Sequence, residues 1–176
     1  MHAIKVLPGV ALVVLAGCAA PAPKYEGTDP ATLLFVNQSL ITIGNSLQVR
    51  KFQNPANCSG GKEYFPEIGD ADSTPAATKF APVRVEPNRP MTLFLFGMQA
   101  AYVNGASGQR SCDLILSFTP KSNQRYTIAY SLNGTACSGG IVRWDNGQWV
   151  KEESTRQRKP ILGPDKVLLP GSAQCE

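Results

Sequence analysis

Cysteine and histidine are the residue types in this chain best suited to redox, nucleophilic or metal chemistry. The five cysteines are spread widely, and no two have the Cys-x₂₋₄-Cys spacing that is typical of structural zinc sites. A catalytic thiol is generally activated by a nearby histidine or a second cysteine, and the spacing predicts neither. We therefore expect no metal site, no cofactor and no thiol mechanism.

The only histidine is His2, inside a segment that has the layout of a secretory signal peptide, residues 1–17. Lys5 supplies the charged start, an apolar run over 6–16 follows, and small residues end it. An eleven-residue helix would rise about 16 Å, too little for a hydrocarbon core about 30 Å thick. If this leader is removed, the mature chain has no histidine and no Ser–His–Asp mechanism. We therefore expect that the protein is not an enzyme.

The apolar run ends in Leu15-Ala16-Gly17-Cys18. This tetrapeptide resembles the lipobox of bacterial lipoprotein precursors. The resemblance implies cleavage before Cys18, a diacylglycerol on the Cys18 thiol and usually acylation of the new amino group. Two or three acyl chains anchor a protein durably, whereas one chain holds it only marginally. Ala19 follows the cysteine, and by the same resemblance to enteric-type precursors this favours the outer membrane, with the domain in the periplasm or at the cell surface.

Four cysteines remain for the mature domain if Cys18 carries lipid. An even number in an oxidising compartment predicts two disulfides. Three pairings are possible, and we favour the sequential one, Cys58–Cys112 with Cys137–Cys175. The second of these bridges would tie a proline-rich C-terminal tail to the body of the domain.

The remaining 159 residues suit a single domain. Residues 18–30 are rich in proline and alanine and predict an extended tether, so the folded domain is expected over 31–176. Short apolar runs between turn signals, with no convincing long helix, predict an all-β protein. The expected fold is an antiparallel two-layer β-sandwich, Ig-like in style, with 7–9 strands; a small closed β-barrel is the alternative.

Alternation of apolar and polar residues predicts which side chains face the core. Leu114, Leu116 and Phe118 share one face of a strand, and Tyr126, Ile128 and Tyr130 share one face of the next. Residues 92–96 are apolar on both faces and predict a central strand. Residues 53–82 show little periodicity and predict a long irregular region with a short strand near Tyr64. The units at 83–96 and 117–131 loosely resemble those of periplasmic β-sandwich lipoproteins, a likeness that implies a domain style and no function.

The stretch RWDNGQWV contains the clearest local signal. Asn146-Gly147 fits the centre of a type I′ hairpin, which would make Trp144 and Trp149 a cross-strand pair. Such a pair either covers one end of the core or, if exposed, stacks on sugar rings.

The charge of the chain excludes one class of partner. The formal charge is +4 for the full sequence and +3 without Lys5, and no dense basic run is present, so nucleic acid is not expected. The small cluster Arg156, Arg158 and Lys159 is either a solvated loop or a contact for anionic lipid or peptidoglycan.

Two functional hypotheses follow from these observations. The first is a non-catalytic lipoprotein that is anchored in the outer membrane and binds another envelope protein or supports envelope assembly. The alternative is a glycan- or peptidoglycan-binding module that uses Trp144 and Trp149, with Arg156, Arg158 and Lys159 beside them.

Overall fold

The computed structural model describes residues 21–39, 45–68, 80–103, 106–133, 136–161 and 175–176. Within these ranges no helix is long and apolar enough to span a membrane. The chain there forms ten strands. Their bounds are β1 Ala31–Asn37, β2 Asn45–Asn54, β3 Ser59–Tyr64, β4 Val83–Val85, β5 Met91–Val103, β6 Ala106–Phe118, β7 Arg125–Asn133, β8 Ala136–Asp145, β9 Gln148–Lys151 and β10 Arg156–Arg158.

The strands form two five-stranded sheets, which confirms the predicted β-sandwich. The first sheet has the order β4-β1-β7-β8-β9 and the second β10-β6-β5-β2-β3. All neighbours are antiparallel except β1 and β7, which run parallel. The sheets do not close into a barrel: β4, β9 and β10, three of the four edge strands, have only three or four residues. Such short edges limit edge-to-edge association.

The core lies between the two sheets, and the alternation read from the sequence is confirmed. The predicted inward sets on β6 and β7 are all buried. Gly97 on β5 packs against the ring of Tyr130, where a Cβ atom would overlap the phenol. The Tyr130 hydroxyl donates a hydrogen bond to the Cys112 carbonyl at 2.9 Å. Because the ring is fully buried, desolvation raises the pKa of Tyr130 to about 12.

The strand predicted to be central, β5, lies in the middle of the second sheet. Leu93 and Leu95 face the main core. Phe94 faces the other way and belongs to a second buried cluster on the outside of this sheet, whose buried members are Phe52, Cys58, Phe94, Ile115 and Cys175. The apolar character of both faces of β5 therefore reflects two separate cores.

Several boundaries differ from the prediction. Strand β3 confirms the short strand predicted near Tyr64 but begins earlier, at Ser59, and β5 and β6 form a hairpin of 13 residues on each side, longer than the apolar runs indicated. Backbone pairing from Gln99↔Arg110 to Val103↔Ala106 extends this hairpin.

Both disulfides form, but with a different pairing. The bridges are Cys58–Cys175 and Cys112–Cys137, with Cα–Cα distances of 5.5 and 5.9 Å. The favoured sequential pairing is therefore wrong. Cys112 on β6 faces Cys137 on β8 across the two sheets, whereas Cys58 follows β2 and lies in the outer cluster. The nested arrangement follows from this sheet topology, which neighbouring sequence does not reveal.

The segment before β1 lies against the domain. The Ala22 amide donates to the Tyr64 carbonyl at 2.7 Å, and Pro21 forms a parallel bridge with Tyr64. Ala22 is buried, and the guanidinium of Arg84 donates to the Gly27 carbonyl. Although β1 begins at the predicted boundary, residues from Pro21 onward already contact the sandwich.

Candidate functional site

The hairpin that joins β8 and β9 has the predicted geometry. Asn146 and Gly147 have φ angles of 47° and 89°, both left-handed, as the centre of a type I′ turn requires. Asp145 pairs with Gln148, and Trp144 pairs with Trp149. The indole centroids are 5.1 Å apart with planes at 68°, an edge-to-face arrangement. The predicted cross-strand pair is confirmed.

The two tryptophans point away from the core. Ile141 on β8 is buried between the sheets, so the alternate residues Val142 and Trp144 face outward. Trp144 is 37% and Trp149 44% exposed. The pair therefore does not cover the core, and it leaves indole surface available to a partner.

The tryptophans belong to a larger surface, which we call the open face. It consists of the outward residues of the first sheet, and every one of them retains solvent exposure. A Cβ placed on Gly140 would meet nothing within 4 Å. Small residues, among them Ala129, Ser138 and Gly140, occupy its middle. The open face comprises Arg84 of β4; Thr32, Leu34 and Val36 of β1; Arg125, Thr127, Ala129, Ser131 and Asn133 of β7; Ala136, Ser138, Gly140, Val142 and Trp144 of β8; and Trp149 and Lys151 of β9.

The inward side of the same hairpin holds a charged network that fixes its position. Arg143 forms ion pairs with Asp145 at 3.3 Å and with the buried Glu152 at 3.5 Å. The Glu152 amide donates to the Ile141 carbonyl, and its carboxylate accepts from the Ser154 amide. Because these contacts hold the hairpin from its inward side, they also fix the position of the tryptophan pair on its outward side.

The predicted basic cluster is not part of the open face. Arg156 and Arg158 lie on β10, which pairs with β6 at the edge of the second sheet. Their guanidinium groups donate to backbone carbonyls, including that of Ala56, and the backbone of Lys159 pairs with Glu176. The cluster thus lies on the second sheet, because the chain crosses to that sheet after β9.

The outside of the second sheet, which we call the covered face, is closed by contrast. Phe94 and Ile115 are 7% and 4% exposed there. The Lys62 ammonium lies 3.4 Å from the centroid of the Phe94 ring, and the Cys58–Cys175 bridge packs in the same cluster. Burial lowers the pKa of Lys62 and raises the pKa of Asp113. The attraction between these two opposite charges partly offsets both pKa shifts. These contacts stabilise the domain and leave little free aromatic surface.

A cavity of about 450 Å³ lies where the N-terminal segment meets the end of the sandwich. Its wall includes Tyr25, Phe52, Phe65 and Met91, with four prolines and charges of both signs. Neither tryptophan lines it. Two of its cations are engaged in ion pairs, Lys51 with Glu63 and Arg89 with Glu86. The cavity thus has no concentration of one charge.

The described ranges contain no group of three or more histidine, cysteine, aspartate or glutamate side chains that could hold a metal ion. The proposed lipid-attachment residue, Cys18, lies outside these ranges. The tryptophan pair was predicted from the sequence, whereas the open face was not. The signal was present, since the outward positions of 125–133 and 136–144 are small or apolar with a single cation and no carboxylate.

No known protein family, curated protein or solved structure matches this chain.

Proposed function

We propose that this protein is an exported, lipid-anchored module that binds another protein of the cell envelope through the open face. The observation that carries the proposal is the exposed Trp144–Trp149 pair at the β9 edge of the first sheet, on a hairpin held by the Arg143–Glu152 ion pair. Tryptophan is enriched among the residues that dominate protein–protein binding. Exposed aromatic surface on an otherwise well-packed domain is typical of an interaction site.

Two observations support export and anchoring. The disulfides Cys58–Cys175 and Cys112–Cys137 suit an oxidising compartment, and the tetrapeptide ending at Cys18 resembles a lipobox. Metabolic labelling with a fatty-acid analogue tests the anchor. We expect label in the parent chain and none in Cys18→Ala, while equal labelling of both would contradict lipidation at this residue.

The packing of Ala22 limits the reach of such an anchor. Four Cα–Cα steps separate Cys18 from Ala22, so the anchor and the docked segment lie at most about 14 Å apart. Ala22 is bonded to β3, at one lateral edge of the second sheet. Strand β8 faces β6 across the Cys112–Cys137 bridge, so β9 lies at the opposite lateral edge. In this proposal the lipid holds the β3 edge near the membrane and directs the tryptophan hairpin away from it.

Site-specific photo-crosslinking in cells tests the binding function. A photoreactive phenylalanine derivative at position 149 replaces one aromatic ring with another on the open face. The same derivative at position 96 serves as the matched control, because Phe96 is a partly buried aromatic residue on the covered face. We expect a reproducible protein adduct from position 149 and little or none from 96. Adducts of equal yield, or none from 149, would contradict the proposal.

A glycan is the second candidate ligand, favoured by the exposure of two indoles. The edge-to-face angle of 68° prevents both rings from stacking on the same flat sugar, which weakens this alternative relative to protein binding. Binding of the purified domain to peptidoglycan sacculi tests it. Loss of that binding in Trp149→Ala, with retention in Phe96→Ala, would support the glycan reading.

A further inference from the structure

We infer that the partner presents an acidic protein surface to the open face, and that Arg125 and Lys151 set this preference. The inference rests on the proposed function and adds the chemistry of the partner. Its basis is the distribution of charge over the first sheet.

The charged outward residues of the first sheet are all cationic. They are Arg84 on β4, Arg125 on β7 and Lys151 on β9. The carboxylate of this sheet, Asp145, lies on the inward side and pairs with Arg143. A partner that covers these five strands therefore meets cations from one edge of the sheet to the other and no outward carboxylate on the strands themselves.

Two of the three cations are available to a partner. The guanidinium of Arg84 already donates to the Gly27 carbonyl at 2.9 Å. Arg125 and Lys151 are exposed, and neither takes part in an ion pair within the described part of the chain. Lys151 is two residues from Trp149 on the same strand and pairs with Val142. It therefore lies beside the tryptophan pair and on the same face.

The pattern of this surface fits a protein better than a bilayer. The cations extend from β9 to β4, four strand spacings or about 19 Å across the sheet. The anchor proposed above holds the opposite, β3 edge of the sandwich near the membrane, so the β9 edge with its tryptophan hairpin faces away from that bilayer. Complementary charge across such an interface increases the association rate and suppresses unsuitable partners. Arginine and tryptophan are also enriched at interface centres.

Charge reversal of Arg125 and Lys151, measured in the photo-crosslinking assay, tests the inference. With the photoreactive residue at 149, the pair Arg125→Glu and Lys151→Glu is expected to lower the adduct yield by about tenfold or more, because two attractions become repulsions. The pair Lys24→Glu and Lys159→Glu makes the same change in net charge away from the open face and is expected to leave the yield within about twofold. Urea midpoints of both pairs establish that they fold.

The outcomes separate this inference from the proposed function. Absence of any adduct from position 149 removes the proposed function, and this inference with it. An adduct that both charge-reversal pairs reduce equally, or that neither reduces, overturns the acidic-partner inference alone. The adduct peptide of the partner, sequenced by mass spectrometry, is expected to be rich in aspartate and glutamate, and a basic peptide would overturn the inference.

Tryptophan fluorescence tests lipid binding separately. The chain contains two tryptophans, and both lie on this hairpin. Their emission therefore reports on the open face directly. Vesicles of phosphatidylglycerol are expected to leave the emission of the purified domain without its leader unchanged. A saturable blue shift with these vesicles, abolished by Arg125→Glu and Lys151→Glu, would assign the open face to anionic lipid and overturn the protein assignment.

Discussion

The two outer faces of the sandwich contrast in what lies on them. On the second sheet, the outward aromatic residue Phe94 is covered by Lys62 and by the Cys58–Cys175 bridge. On the first sheet, the outward residues Trp144 and Trp149 remain exposed. Outward aromatic residues thus stabilise the domain on one face and are left free on the other, which is why we attribute binding to the first sheet and stability to the second.

The largest expected effect concerns the bridge that closes the covered face. The variant Cys58→Ser with Cys175→Ser should lose about 4 to 5 kcal/mol of unfolding free energy on the loop-entropy model, since the bridge spans 117 residues. The variant Cys112→Ser with Cys137→Ser, which spans 25 residues, should lose about 3.5 kcal/mol. Urea unfolding measures both. The reverse order would mean that the Cys112–Cys137 bridge between the sheets contributes more stability than the Cys58–Cys175 bridge of the covered face.

A matched pair of aromatic truncations compares the faces directly. Phe94→Ala should cost about 3 to 5 kcal/mol, because it opens a cavity in the outer cluster. Trp149→Ala removes a half-exposed ring whose cross-strand pair contributes about 0.2 to 1 kcal/mol. Urea titration of the two variants should separate them by more than 2 kcal/mol. Equal losses would contradict the division into a covered and an open face.

Tyr130 tests the core that both faces share. Its pKa in the folded protein, about 12, lies above the ordinary value of 10.0, so the folded state retains a proton that the unfolded state loses. The stability due to this group is complete below pH 10 and falls as the pH rises towards 12, by about 2 to 3 kcal/mol. Tyr130→Phe should not show this loss of stability at high pH. At neutral pH the variant should lose about 1 kcal/mol of unfolding free energy, because the Cys112 carbonyl loses its hydrogen-bond donor.

The smallest effect concerns two lysines. Lys62→Ala uncovers Phe94 and removes the cation–π contact, which should cost about 1 kcal/mol of unfolding free energy. The cost is small because burial disfavours the charged form of Lys62, which lowers its pKa and offsets part of the attraction. Lys151→Ala changes an exposed residue of the open face and should alter stability by less than about 0.5 kcal/mol. The two variants should behave oppositely in the crosslinking assay, where Lys151→Ala lowers the adduct yield and Lys62→Ala does not.

Local periodicity was sufficient to predict the sandwich, the inward faces of β6 and β7 and the register of the tryptophan hairpin. These features depend on residues close in sequence, such as Asn146 and Gly147 between the two tryptophans. The pairing of the cysteines and the position of Arg156 and Arg158 depend on which strands become neighbours across the two sheets. That information is distributed over the whole chain.

The exposure of each outer face was likewise not readable from alternation. Leu34 and Val36 on β1 and Phe94 and Phe96 on β5 are all outward apolar residues in similar strand patterns. Phe94 is buried because the Cys58–Cys175 bridge packs beside it, whereas Leu34 and Val36 keep contact with solvent. The burial of Phe94 thus depends on a long-range contact that alternation along β5 does not show.

Oxidative footprinting in the native envelope tests the central claim most directly. Hydroxyl-radical oxidation of Trp144 and Trp149 is compared between the purified domain and the anchored protein in intact envelopes, with Met98 on the outside of the second sheet as the internal reference. If the open face is occupied, both tryptophans are oxidised several-fold more slowly in the envelope while Met98 reacts at the same rate in both samples. Equal oxidation rates at the tryptophans in the two samples would contradict a binding role for the open face.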